Sequence, residues 1–220
     1  MNDSMLILGH GALNPNYCRA IVDMFNTAAT TPLESMNEEH GGHIVPLNDA
    51  DSDRLKYTNE SNCTLYTVGP TNPDLSVIMG YIDGILPWSE DFEKISFMQI
   101  MKYPEESYMN WHKDDADSGD TGTVIFNLND DFTGGNFIVD GHILRPFIGN
   151  MVAFNNSTTR WHGVEPVQTG DRYVLALWFC RKDDDEYEED PAEQEGKAIY
   201  SGAWSSETHP TNTIKIKGIT

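Results

Sequence analysis

The chain has 220 residues, of which 39% are hydrophobic and 10% aromatic; that is the size of one large domain or two small ones, with enough apolar material for a core, and it excludes a wholly disordered protein. Fourteen Lys plus Arg face thirty-five Asp plus Glu, a formal charge of −21, which repels phosphate backbones and excludes nucleic acid as an expected partner. The apolar run Met5 to Leu8 has no basic flank and no 18-residue apolar stretch follows, so neither a signal peptide nor a membrane span is expected.

Pro15 to about Ala28 carries Ala20, Ile21, Met24 and Phe25 near a helical period, with Asn14 or Asn16 as cap, and predicts an amphipathic helix. From Thr30 to Cys63 polar residues dominate, which predicts a long loop or an insertion of short elements. Asp49, Asp51, Asp53 and Glu60 copy the spacing of a calcium loop, but Arg54 stands where the sharp turn needs Gly, so a solvated loop is the better reading. The HGGH run at 40–43 likewise reads as exposed loop. A second helix fits Asp74 to Leu86.

The pattern then changes to strands: Ile95 to Tyr103, Thr123 to Leu128, Asn136 to Val139, His142 to Leu144, Met151 to Phe154, Gly163 to Val167 and Tyr173 to Cys180. Turn residues separate them, notably Gly134-Gly135, Asp140-Gly141 and Thr169-Gly170-Asp171. Many short strands behind two helices predict a mainly β sandwich or jelly roll with flanking helices. Residues 183–195 hold nine acidic residues and no basic one, and self-repulsion predicts a solvated, flexible segment. Residues 196–220 read as an extension whose alternation near Ile214 and Ile216 allows a short strand. The domain proper is therefore expected over 1–182, with its core at about 95–181 and the insertion at about 30–63. Cys18, Cys63 and Cys180 are odd in number, far apart and without a CxxC pattern, so a reducing cytoplasm is the expected setting.

The chemistry concentrates in Trp111-His112-Lys113-Asp114. In a strand, residues i and i+2 share a face, so His112 and Asp114 can grip one ion. His162 lies fifty residues on, within Arg160-Trp161-His162-Gly163, where a jelly roll can return it beside the first pair. Two His and one carboxylate make the facial triad of non-haem Fe(II) oxygenases. Ten residues further, Arg172 opens the strand RYVLALWF. A guanidinium stays charged in an apolar barrel and matches a carboxylate with two parallel hydrogen bonds, as a dicarboxylate cosubstrate requires.

In this order of motifs the stretch from Ile95 to Phe179 resembles the prolyl 4-hydroxylase family of Fe(II)/2-oxoglutarate dioxygenases. The matching pieces are Tyr103 ahead of WHKD, then TVIFNLNDDFTGGNF, RPFIGNMVAFNN and WHGVEPVQTGDRYVLALWF. The resemblance implies a double-stranded β-helix, a cupin-like jelly roll with N-terminal helices packed on one sheet. It implies Fe(II) held by His112, Asp114 and His162, and 2-oxoglutarate anchored by Arg172 with Tyr103 nearby. Asn127 stands where some relatives carry a second tyrosine contacting the cosubstrate. Tyr108 lies four residues before His112 where relatives usually have a tyrosine three before, which implies a bulge in the approach strand or a share of that role for Trp111. Trp111, Arg160 and Trp161 flank the ligands and are the expected substrate contacts.

The activity so implied is hydroxylation, most directly of peptidyl-proline, coupled to conversion of 2-oxoglutarate and O2 into succinate and CO2, with ascorbate as a further expected reductant. The expected partner is a peptide or protein, Pro-rich and neutral or basic. The same chemistry on a free amino acid, a small metabolite or another protein side chain is the alternative. A jelly-roll module that binds metal without turnover is the rival of another class.

Overall fold

The computed structural model describes residues 6–30, 42–46, 63–68, 72–86, 92–112, 120–155, 160–181 and 214–216. The expected acidic segment 183–195, the carboxylate Asp114 and most of the 30–63 insertion lie outside the described residues. Fourteen strands and two helices are described. Eight strands form one antiparallel sheet in the order β14-β1-β10-β6-β13-β4-β3-β2, four form a second sheet in the order β5-β11-β8-β9, and β12 pairs with β7.

Helix α1 (Pro15–Thr30) starts where Asn14 accepts the Asn16 N–H on its side chain at 2.8 Å, and Pro15 sits at the first helical position, where its missing N–H costs nothing. Its buried stripe is Cys18, Ile21, Phe25 and Ala28, a 3-4-3 spacing that keeps one face inward. Helix α2 (Pro73–Ile82) is capped the same way by Asn72, and buries Leu75, Ile78 and Ile82. It ends four residues before the expected Leu86. Asp83 leaves the helical region and Gly84 takes φ +74°, although Leu86 still reaches the core.

Both helices cover one face of the large sheet. The alternation of strands shows it: on β4 (Phe92–Tyr103) Met98 and Ile100 join the helix-side core, whereas Met101 and Tyr103 join the core between the two sheets. On β13 (Arg172–Arg181) Leu175 and Leu177 face the helices, and Val174 and Ala176 the other sheet. Burial on both faces accounts for the unbroken apolar run LALWF. The inter-sheet core is completed by Phe137 and Val139 of β8 (Phe137–Val139), Val152 and Phe154 of β10 (Met151–Asn155), and Val164 of β11 (His162–Val164). This is the expected jelly roll with helices packed on one sheet.

Several elements differ from expectation. The strand expected at Gly163 to Val167 is two: β11, then β12 (Val167–Thr169), which pairs with β7 (Thr133–Gly134). Pro166 between them cannot donate to a ladder. Three further strands join the large sheet, β1 (Leu6–Gly9) between β10 and β14, β2 (Gly42–Pro46) and β3 (Thr64–Val68), whereas β14 (Ile214–Ile216) is the short strand that the alternation in the C-terminal extension allowed. The remaining strands are β5 (Met109–His112), β6 (Asp120–Asn127) and β9 (His142–Leu144).

Candidate active site

The two histidines are brought together by the small sheet. His162 opens β11 and lies opposite His112, the last residue of β5, in their antiparallel ladder. The ladder sets the two backbone positions side by side. The register slips between His162 and Val164, which pair with His112 and Met109, so β5 carries one residue more than its partner. That extra residue is the bulge implied by Tyr108 standing four positions ahead of His112.

The His162 ring is buried at 4% exposure. Its neighbours are Phe154, with ring centroids 4.9 Å apart, and Phe137, at 5.8 Å. Nδ1 lies 3.1 Å from the Arg160 carbonyl, which can only accept, so Nδ1 carries the hydrogen and the neutral ring has its lone pair on Nε2. A histidine oriented in this way by a carbonyl is ready to ligate a metal.

The expected cosubstrate residues also converge. Arg172 on β13 is the direct cross-strand partner of Tyr103 on β4, and its guanidinium carbon lies 5.0 Å from the Tyr103 ring centroid. Asn127, at the end of β6, accepts from Arg172 Nη2 at 3.3 Å. All three are buried, Arg172 to 1% exposure. Two guanidinium nitrogens, Nε and Nη1, are buried and have no hydrogen-bond partner among the described residues. Leaving such donors unmet costs free energy, and an anion would meet them. Burial pulls the Arg172 pKa below its usual value. Burial likewise pushes the Tyr103 hydroxyl up, so Tyr103 is a neutral phenol; its oxygen lies 3.4 Å from the Met101 sulfur and 3.8 Å from that of Met109.

Gly134 and Gly135 hold φ +72° and +59°. A Cβ on Gly135 would stand 3.1 Å from Arg172 Cδ and 3.1 Å from Val167 Cγ2, so the glycine lets backbone close directly over the arginine stem. As a pair the glycines read in sequence as a turn; their fit against Arg172 depends on β12 and β13, which no local pattern reveals. Met101 and Met109 read only as strand residues.

Trp161 is 50% exposed beside His162, and Arg160 is paired through Nη1 with the Asp140 carboxylate. Trp111 and His112 lie on β5.

The model of the 2OG-Fe(II) oxygenase superfamily matches residues 98–180, the segment that contains every one of these residues. A crystal structure of a Pseudomonas putida prolyl-4-hydroxylase superposes with a TM-score of 0.54 at 18% identity, covering 80% of this chain and 92% of that one, which shows the same fold. Over 64 residues the chain is 36% identical to prolyl 3-hydroxylase 2 of Rattus norvegicus and 39% identical to prolyl 3-hydroxylase 1 of Homo sapiens. Each match covers 26% of this chain, and the chain spans 9% of the length of either relative. The segment 98–180 is thus similar to the 2OG-Fe(II) oxygenase superfamily, a class named for its use of 2-oxoglutarate and Fe(II). Within that class, the relatives named here are prolyl hydroxylases.

Proposed function

We propose that the chain is an Fe(II)/2-oxoglutarate dioxygenase that hydroxylates peptidyl-proline: 2-oxoglutarate, O2 and a substrate C–H give succinate, CO2 and a C–OH. The observation that carries this reading is Arg172, a buried cation with two unmet donors beside Tyr103 and Asn127. A dicarboxylate whose far end meets those donors presents its 2-oxo acid end to a metal. His112, Asp114 and His162 would hold that metal, and two imidazoles with one carboxylate suit Fe(II) while leaving positions open. Bound there, the metal supplies the O2 chemistry. The chain's own residues supply the rest: Arg172 fixes the cosubstrate's direction, His162 Nδ1–H on the Arg160 carbonyl fixes the ligand tautomer, and the apolar walls Phe137, Phe154 and Val164 exclude water.

The half-exposed Trp161 offers a flat wall beside His162 for a proline ring, and an extended Pro-rich peptide loses little entropy on binding. The formal charge of −21 favours a neutral or basic peptide by steering. The named relatives include both 3- and 4-hydroxylases, so the ring position is part of the measurement. The test is a proline-containing peptide library incubated with Fe(II), 2-oxoglutarate, ascorbate and O2, followed by mass spectrometry. Products heavier by one oxygen, with succinate formed in step, are expected; His112→Ala, Asp114→Ala and His162→Ala each abolish both. Hydroxylation of free amino acids or metabolites with no peptide product overturns the peptidyl-proline reading, and absence of succinate overturns the dioxygenase reading.

A further inference from the structure

The Arg160 carbonyl faces His162 Nδ1 and favours a hydrogen there, and the peptide carrying that carbonyl is held from outside its own strand. The β8–β9 hairpin turns through Asp140 and Gly141, at φ +49° and +79°, two successive left-handed residues of the kind Asp-Gly supplies. From this turn Asp140 reaches across to the segment preceding β11 at two points. Its N–H donates to the Trp161 carbonyl at 2.9 Å. Its carboxylate pairs with Arg160 Nη1, and the Arg160 side chain is only 10% exposed. Immediately before the turn, Val139 pairs with His162 itself. The hairpin tip thus grips residues 160, 161 and 162 in succession, by a charged side chain, a backbone bond and a ladder.

We propose that Asp140 and Arg160 are positioning residues for the metal centre: their ion pair fixes the Arg160 carbonyl, which holds the His162 imidazole with its hydrogen on Nδ1 and its lone pair on Nε2. This gives Arg160 a task other than the substrate contact expected from its place in the sequence. A carbonyl loosened from this hold accepts less well, and the ring then exchanges tautomers or turns between its phenylalanine neighbours. Partners that orient a ligating histidine contribute about 10- to 100-fold in metal affinity. The metal half of the inference rests on the proposed function; the tautomer half does not.

The test uses the full chain with Arg160→Ala, Arg160→Lys and Asp140→Asn. Asparagine tolerates the left-handed backbone, so Asp140→Asn removes the charge and keeps the turn even where Arg160→Ala fails to fold. Three quantities are measured: the imidazole 15N shifts of His162 in metal-free protein, assigned with His162→Gln; Mn(II) affinity; and melting temperature. The wild type is expected to show one tautomer, with hydrogen on Nδ1. Asp140→Asn and Arg160→Ala are expected to lose that single signature and to bind Mn(II) about 10- to 100-fold more weakly, and Arg160→Lys, which keeps the charge, to recover most of both. A lowered melting temperature with unchanged tautomer and Mn(II) affinity overturns the proposal. If the wild type binds no Mn(II) but the 15N signature changes as described, the positioning role stands and the dioxygenase reading fails.

Discussion

Arg172 carries the largest unmet electrostatic demand among the described residues, a fully buried guanidinium with one long hydrogen bond to Asn127 and two donors without partners. Removing it relieves the unliganded protein and cripples the liganded one. Arg172→Met is therefore expected to melt at or above the wild-type temperature without ligand, because a buried unpaired charge is replaced by apolar volume. Its 2-oxoglutarate requirement rises about 30-fold or more, since losing one desolvated charged partner costs about 2 to 5 kcal/mol. Calorimetric melting with and without 2-oxoglutarate checks both halves. Gly135→Ala acts on the same pocket from the backbone side: its φ of +59° costs about 1 to 2 kcal/mol for an L side chain, and the added Cβ pushes on the Arg172 stem. A lowered melting temperature together with weakened 2-oxoglutarate binding is expected from the same measurement. The placing of His112 opposite His162, and of Arg172 beside Tyr103 and Asn127, was anticipated for the histidines and arginine by residue type and order, and for Tyr103 and Asn127 only by the family resemblance. Gly135 and Asp140 were legible only as turn residues, because what they touch is set by strands distant in the chain.

At the scale of elements, helix α1 couples the outer layer to the site. The Cys18 thiol on its buried stripe lies 4.0 Å from the Leu13 carbonyl and 3.9 Å from that of Asn127, the residue whose side chain holds Arg172. Burial pushes this thiol from 9.0 up to about 11. The folded state therefore keeps the proton to higher pH than the unfolded chain does. The corresponding stability is complete below about pH 9 and is lost as pH rises towards 11. Iodoacetamide followed by peptide mass spectrometry is expected to label Cys18 very slowly at pH 8 in the folded protein and quickly in denaturant, with folded-state labelling accelerating only as pH approaches 11. Helix α1 was readable from its period and its cap. The four residues of β1 were not, because LILG reads equally as strand or buried helix turn without its partners β10 and β14. Strand β3 escaped for a related reason, since it follows a polar stretch that hides its alternation.

Across the whole molecule, charge and topology set the remaining expectations. On the proposed function, a net charge of −21 would steer basic peptides, an effect that fades as the Debye length falls to about 10 Å at 0.1 M salt. Pro-containing peptides with Lys or Arg nearby are expected to lose kcat/KM with added salt, whereas neutral ones change little; initial rates of succinate release between 20 and 300 mM salt, about the range where screening sets in, decide it. The jelly roll was legible because many short apolar runs between turns leave few other architectures. Its strand order was not, because pairings such as Leu6 with Phe154 carry no local trace.

That same pairing has a temporal side. Strand β1 lies between β10 and β14, yet its ladder partner Met151 follows Gly9 by about 140 residues, which a ribosome at about 5 to 20 residues per second supplies only after roughly 7 to 30 s. Throughout that interval the emerging chain carries an apolar strand with no sheet to join. Strand β11, with His162, emerges later still, so for 50 residues after His112 is made only one histidine of the opposed pair exists.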